Sequence, residues 1–367
     1  MKTHAAAPSS PAVAGKVGPV LITGGSGFIG SNLADSLLSN GGEVVVLDNL
    51  SRPGVEQNLA WLKERHGTRV HPLIADIRDP HCADPVIGDV KAVFHLAAQT
   101  AVTTSMENPA DDFEVNARGT FNILEAVRAS GRRMPVVLSS TNKVYGGLED
   151  LKMMETADRF LPADRRIREH GIGEDRSLDF CTPYGCSKGV ADQYVLDYSA
   201  SFGLPTAVLR MSCIYGPRQF GTEDQGWVAH FLIKALAGEP ITIFGNGKQV
   251  RDILHVHDAV AAYRAVLQSI ESVNGRAFNL GGGPANAVSL RQLLREISRL
   301  THGEVEIEWS DSRPGDQVFF VADTRRIRKA LGWHQTLGWQ EGLRDLADWL
   351  VEERSGKRLG SSRRMTA

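Results

Sequence analysis

Tyr184 and Lys188 stand four residues apart in T-P-Y-G-C-S-K-G, about one helical turn, so both side chains leave one face of a helix. An ammonium beside a phenol favours the phenolate and lowers a pKa that starts near ~10, which makes a tyrosine usable as a base at neutral pH. Thr182 suits the cap of that helix and Pro183 its first turn. Alone the spacing is weak, because any amphipathic helix with a surface lysine can produce it. It gains weight from Gly24, Gly27 and Gly30 in L-I-T-G-G-S-G-F-I-G, which fall between an apolar run at 18–22 and a helical pattern at 31–39. A strand, a tight glycine turn and a helix N-terminus make a pyrophosphate site, since bare backbone approaches the phosphates and the helix end offers N–H donors. Phe28 and Ile29 carry that turn into the helix. The next apolar run, 43–47, ends in Asp48, where a carboxylate grips adenosine ribose hydroxyls and repels a 2′-phosphate. The pattern predicts NAD rather than NADP, with Asn49, Ser51 and Arg52 along the same edge.

These residues need a sheet to position them, and strands alternate with helices as a doubly wound sheet requires. Further strands are expected at 70–75, 92–96, 135–138 and 206–210. The first of these closes on Asp76 and Ile77, which can reach the adenine. The second runs into Leu96, Ala97, Ala98 and Gln99, where small side chains let a cofactor lie against the strand end. The third delivers Ser139, Ser140 and Thr141 to the carboxyl edge, where open α/β sheets bind ligands. Met211 ends the fourth and joins the cofactor set. Helices are expected at 111–129 and from Tyr184 to about residue 201, and 277–280 reads as a strand that can return to the first sheet. The fold class is therefore α/β: a Rossmann-type parallel sheet with a smaller, interleaved C-terminal α/β domain. The expected division is a disordered arm at 1–16, a cofactor domain at 17–215 to which 250–282 partly returns, a substrate domain at 216–249 and 283–352, and a disordered tail at 353–367.

A chain of 367 residues at 42% hydrophobic can bury a large core, and a net charge of -2 gives no electrostatic reason to expect nucleic acid. No apolar run approaches the ~18 residues of a membrane span. Pro8 and Pro11 interrupt any signal-peptide core. Cys82, Cys181, Cys186 and Cys213 lack disulfide-framework or metal-ligand spacing, which points to a reducing, cytoplasmic setting.

The strings T-G-G-S-G-F-I-G, H-L-A-A-Q, S-S-T-N-K-V-Y-G, P-Y-G-C-S-K and I-Y-G-P-R together resemble the extended short-chain dehydrogenase/reductases, the NAD-dependent sugar-nucleotide epimerases and dehydratases. The resemblance spans most of the chain. It implies that Tyr184 is the acid/base, that Lys188 anchors the nicotinamide ribose, and that Thr141 is the hydroxyl beside the reacting alcohol. It also implies a homodimer or homotetramer paired through the helices at 111–129 and 184–201. Within the family, S-S-T-N-K-V-Y-G, E-D-Q-G-W-V and G-N-G-K-Q-V-R-D are most similar to the branch that inverts the second carbon of a CDP-linked 3,6-dideoxyhexose. Another sugar-nucleotide enzyme, such as a UDP-sugar 4-epimerase, is the alternative, and a non-catalytic NAD-binding regulator a remote one. Dehydrating relatives carry Asp-Glu after the threonine. Asn142 and Lys143 stand there instead, which argues against elimination unless Lys143 merely pairs with a neighbour.

Other positions carry two readings each. Arg251 and Arg218 are candidates for the substrate's diphosphate or for structural ion pairs, with Arg313 a weaker third. Gln225 and Trp227 suit the nucleotide base, although a core tryptophan is equally consistent. Cys213 falls where many relatives place a substrate-touching asparagine, and it reads here as a buried thiol. Cys186 reads as packing. His255, His257 and Asp258 lack the second pair a metal site needs, and Asp258 is expected to cap a helix. The charged stretch 146–180 is long for a structureless loop, and reads either as a lid or as a solvated excursion.

Overall fold

A computed structural model describes residues 18–312 and 316–364, so Arg313 and the expected arm at 1–16 lie outside the described residues. Seven strands form the main sheet: β1 (Val20–Thr23), β2 (Val44–Asp48), β3 (Val70–Ile74), β4 (Ala92–His95), β5 (Val136–Thr141), β6 (Thr206–Met211) and β7 (Arg276–Leu280). Every pairing is parallel, in the order β7-β6-β5-β4-β1-β2-β3. Successive side chains of a strand point to opposite faces, and both faces here are apolar. Val20, Ile22, Val44 and Val46 pack with Leu33, Ala34, Leu38, Ala259 and Tyr263. Leu21, Val45, Leu47 and Leu138 pack on the other side with Ile123, Leu124, Ala191 and Val195. The strand order reverses between β1 and β4, which opens a crevice at the carboxyl edge.

The helix that carries Tyr184 and Lys188 spans Thr182–Phe202, with Pro183 in its first turn. Cys181 occupies the cap position, and Thr182, the first helical residue at φ 66°, accepts the Gly185 N–H on its hydroxyl at 3.3 Å. The expected helix at 111–129 begins earlier, at Pro109–Phe113, because the Asn108 side chain caps it by accepting from Asp111 N. It then widens through a π-helical turn at Glu114–Arg118 before continuing as Gly119–Ala129.

The C-terminal region is organised around Val250–His255. This strand pairs with Ala287–Ser289, Phe319–Phe320 and, at its far end, Cys213–Tyr215. Helices Trp227–Ala237, Leu290–Thr301 and Trp339–Arg364 close a third core through Leu232, Leu294, Leu343 and Leu346. Helix Val256–Gln268 and β7 then return to the main sheet.

Three expectations are corrected. The tail expected to be disordered from 353 continues as helix to Arg364, since Leu343, Leu346 and Leu350 form a buried stripe and Arg354 donates to the Ile233 carbonyl at 3.1 Å. The stretch 146–180 is built rather than structureless, and it supplies no residue to the cleft described below. It forms a hairpin of Met153–Glu155 with Phe160–Pro162, a helix at Arg165–His170 capped by Asp164, and a bridge from Ile172 to Ala322. Its Leu148 and Ile172 are buried against Phe320. Asp258 lies inside its helix rather than at the cap, which His255 provides. Its carboxylate instead accepts from Thr336 N, Leu337 N and the Thr336 hydroxyl.

Beneath the carboxyl edge, Arg210 grips Asp192 through two bonds of 2.8 and 2.9 Å, with the Asp192 side chain fully buried. Ser140 also donates to Asp192, at 2.8 Å, so β5, β6 and the Tyr184 helix meet at one carboxylate. Removing one partner of a buried pair leaves an uncompensated charge, a loss of about 3–5 kcal/mol. We expect Asp192→Asn to lower stability on that scale in urea unfolding. Glu125→Gln, which breaks the exposed pair with Arg128, should cost less than about 1 kcal/mol.

Candidate active site

A cleft of about 1050 Å³ follows the carboxyl edge from Asp48 to Arg251. Its floor at one end is the glycine turn. Gly24 has φ 65°, and a Cβ there would come within 2.7 Å of the Ala97 nitrogen. At Gly30 a Cβ would lie 2.2 Å from the Gly24 carbonyl oxygen, so the helix can approach the turn only without a side chain. Asp48 accepts from Ser26 N at 3.0 Å and Leu50 N at 2.9 Å, while burial pushes its carboxyl above the usual range. Asp76, held down to about 2 mainly by its bond with Arg78, also accepts from Asn49. Behind Ala97, Thr23 bonds His95 at 2.7 Å and receives Ala97 N at 3.2 Å. Burial drives His95 down to about 3, so it acts as a neutral strut to Thr120.

Tyr184, Lys188 and Thr141 meet midway along the cleft. The Thr141 hydroxyl lies beside the Tyr184 phenol and counters part of its raised pKa, and its Oγ accepts from Lys143 N at 3.2 Å. Lys188 donates to the Ser139 carbonyl at 2.7 Å. Ser105 accepts Tyr184 N at 3.2 Å and fixes the start of the helix. Asn116, on the π-turn, reaches both the Gln99 carbonyl and Ser187 at 3.0 Å. The expectation that Lys188 lowers the phenol's pKa fails here. Burial pushes Tyr184 up to about 12 and Lys188 down to about 8. Taking both groups out of water disfavours both charged forms, and that outweighs the help Thr141 gives the phenolate and Asp192 and Asp112 give the ammonium.

The far end gathers Asn142, Lys143, Cys213, Gln225, Trp227 and Arg251. Asn142 donates to the Gln317 side chain at 2.8 Å. Trp227 donates its indole N–H to the Cys213 sulfur at 3.3 Å, and burial raises that thiol's pKa. Arg251 pairs with Asp316 at 2.6 Å and Lys143 approaches the same carboxylate at 3.9 Å, so the ion-pair reading of each is met while both residues line the cleft. Arg218 is a correction: it does not line the cleft. Its guanidinium lies 4.0 Å from the Trp61 ring centre and pairs with Glu353 at 3.3 Å, pinning the last helix to the one at Val55–His66. Cys186 is exposed rather than packed. The remaining cofactor-side candidates (Gly27, Phe28, Ile29, Ser51, Arg52, Ile77, Leu96, Ala98, Gln99, Met211) all border the cleft.

Sequence reasoning missed Asp316 and Thr103, whose buried hydroxyl lines the cleft without a hydrogen-bond partner. Neither sits in a spacing that announces chemistry. Among the described residues no group of three His, Cys, Asp or Glu is placed to hold a metal, and no helix is long and apolar enough to cross a membrane. The residues present do fit a dinucleotide, with a glycine cradle closed to any Cβ at one end and a buried hydroxyl, phenol and amine at the other.

Residues 20–281 match the model of the NAD dependent epimerase/dehydratase family. The chain belongs to that family. It is 44% identical over 338 residues to CDP-paratose 2-epimerase of Salmonella typhi, covering 90% of this chain and 98% of that protein. A UDP-glucose 4-epimerase from Thermotoga maritima, solved with UDP-glucose, superposes with a TM-score of 0.79 at 29% identity, over 91% of this chain and 99% of that one. The UDP-glucose 4-epimerase of Thermus thermophilus, solved in complex with NAD, gives 0.75 at 30% identity, again over 91% and 99%. Fold and cofactor class follow: a Rossmann-like sheet that uses NAD.

The depressed lysine has a measurable consequence. Unfolded Lys188 keeps its proton to about 10.5, whereas the folded protein releases it near 8. Between those values the unfolded state binds more protons, so this group makes stability rise with pH. Tyr184 opposes the trend only above its ordinary value of 10. In the cofactor-free protein, the urea midpoint of wild type relative to Lys188→Met should therefore climb from pH 8 to 10. A flat difference would show that the amine is not desolvated.

Proposed function

We propose that this protein is an NAD-dependent sugar-nucleotide epimerase that inverts the second carbon of a CDP-linked 3,6-dideoxyhexose. The observation that carries the reading is the Thr141–Tyr184 pair beside buried Lys188, in a cleft where Asn142 and Lys143 follow the threonine. The similarity to the Salmonella typhi enzyme supports the CDP-sugar. Cofactor binding is assigned to 17–215 with the returning segment 250–282, and substrate binding to 216–249 and 283–352. Asp48 would hold the adenosine ribose, the turn at Gly24, Gly27 and Gly30 the pyrophosphate, and Lys188 the nicotinamide ribose.

Oxidising a secondary alcohol removes a hydride from carbon and a proton from oxygen. When bound, NAD supplies the hydride acceptor, the later hydride donor, and a positive ring beside the phenol. Tyr184 takes the hydroxyl proton and afterwards returns it. Thr141 holds the oxygen as alcohol and as ketone, which keeps the reacting carbon in place while the other face of the sugar is presented. The net change is an inversion with no change in oxidation state. Lys143 cannot serve as the carboxylate base that elimination would need.

Tyr184→Phe keeps the ring and removes the proton carrier, so NAD binding should survive while turnover falls by roughly 10²–10⁴-fold. Thr141→Ala should lose less. A substrate deuterated at the second sugar carbon should retain its label and show a primary isotope effect where hydride transfer limits the rate. Washout of deuterium into solvent would rule out the hydride route.

We also infer a homodimer or a dimer of dimers. The paired helices expose Phe113 (47%), Tyr194 (46%) and Phe202 (51%), apolar surface that a second copy would cover. Light scattering should give a dimer or tetramer at micromolar concentration, and Tyr194→Asp should shift it towards monomer. A monomeric wild type would contradict this assembly.

A further inference from the structure

A cofactor lying along this cleft has to pass the end of β1. Asp48 ends β2 and Lys188 bonds the end of β5, and the sheet order puts β1 and β4 between them. The loops that follow β2 and β4 flank that passage, and a hydrogen bond joins them across it. Arg52 Nη1 donates to the Thr100 hydroxyl at 2.8 Å, and both residues line the cleft. The two parent strands stand two spacings apart, about 10 Å, so the bond spans the end of β1 rather than stitching adjacent neighbours. Arg52 is exposed while Gly25 and Ser26 are buried, which puts the bond on the solvent side of the glycine turn.

Neither end of the bond is loose. On the β2 side, Leu50 N is held by Asp48 at 2.9 Å and Ser51 N by the Asn49 side chain at 3.1 Å. Gly54 follows at φ 91°, against a Phe220 ring that a Cβ would approach to 2.8 Å. On the β4 side, the Gln99 side chain donates to the Ala101 carbonyl at 2.7 Å and accepts from Ala101 N, so it brackets Thr100. Gln99 is tied in turn to Asp112 and, through its carbonyl, to Asn116. A long, exposed side chain thus bridges two fixed supports. The reaction cycle gives such a bridge a use. Hydride taken from the substrate in the first half is returned in the second, so cofactor lost in between strands a ketone.

We propose that the Arg52–Thr100 bond is a latch over the dinucleotide: it opens to admit NAD, closes again on the solvent side of the bound cofactor, and slows its exchange. Thr100 acts through Arg52 and is a positioning residue. The proposal rests on the use of NAD alone and holds whichever sugar carbon reacts. Because the latch is closed in the cofactor-free protein too, it raises the barriers to entry and to release together. A side chain that only contacts bound cofactor would instead act on release, and so on affinity.

The test follows NADH fluorescence by stopped flow in the full chain. Entry is read on mixing with cofactor-free protein, and release by chasing NADH-loaded protein with excess NAD. Thr100→Val keeps the side-chain shape and removes the acceptor. One net hydrogen bond corresponds to about two- to tenfold, so both rates should rise by that factor while Kd stays within about twofold. Thr100→Ser should keep the wild-type rates. Arg52→Met, at an exposed position, should also quicken entry and release, and the double variant should be no faster than the faster single one. Wild-type rates in Thr100→Val overturn the latch. Release that quickens while entry does not overturns it as well, because Thr100 would then touch the cofactor itself. No sugar nucleotide enters these measurements. Loss of the latch therefore leaves the epimerase reading intact, and failure to turn over a CDP-linked sugar leaves the latch standing.

Discussion

Burying a phenol and an ammonium side by side is the constraint on which the rest of this site depends. Each group is opposed by the low-dielectric surroundings in its charged form, and the direction of both shifts shows that desolvation prevails in the cofactor-free protein. What keeps Lys188 usable is a ring of fixed acceptors and anions. The Ser139 carbonyl accepts a hydrogen bond from its ammonium, and Asp192 and Asp112 raise its affinity for the proton. Those carboxylates must themselves be held. Arg210 and Ser140 bind Asp192, while Ser187, Asn116 and Gln99 bind Asp112. The polar network under the sheet edge is thus the support of one buried amine, and it explains why the π-turn at Glu114–Arg118 matters: it places Asn116 within reach of that network.

The substrate end is built differently, by strands that belong to both regions. Val250–His255 carries Arg251 and pairs with Cys213–Tyr215, which carries Cys213. Gln317 donates to the Gly146 carbonyl at 2.7 Å and accepts from Asn142, so the segment after Thr141 is fixed from the C-terminal side. The stretch 146–180 packs behind that junction through Leu148 and Ile172. Asp158 and Glu155 pair at the surface with Arg295 and Lys248, whereas Glu174 is buried and accepts from Asn279 N at 2.8 Å. A segment whose charge pattern suggests a solvated loop therefore works as a brace, because Leu148 and Ile172 reach the core.

Legibility follows sequence distance. The glycine turn, Asp48, the Tyr184–Lys188 pair and the strand that carries Thr141 are local patterns whose spacing reports geometry directly. Arg218 and Arg251 look alike in sequence, each in a short Gly-containing motif. Only partners 135 and 65 residues away, Glu353 and Asp316, separate a helix clasp from a cleft residue. Asp258 has the type and place of a helix cap, yet its partners Thr336 and Leu337 lie 78 and 79 residues on. The last helix is hidden by its polar composition, since three leucines at helical spacing suffice to dock it.

The same burial that makes the site costly also makes it conditional. A phenol held near 12 stays protonated at neutral pH, so Tyr184 in the cofactor-free protein can donate a hydrogen bond but cannot accept a proton from an alcohol. Lys188, titrating near 8, sits close enough to neutrality that a modest change in its surroundings decides its charge. A tyrosine exposed to solvent would not carry this raised pKa, so the shift reports how completely the phenol is withdrawn from water.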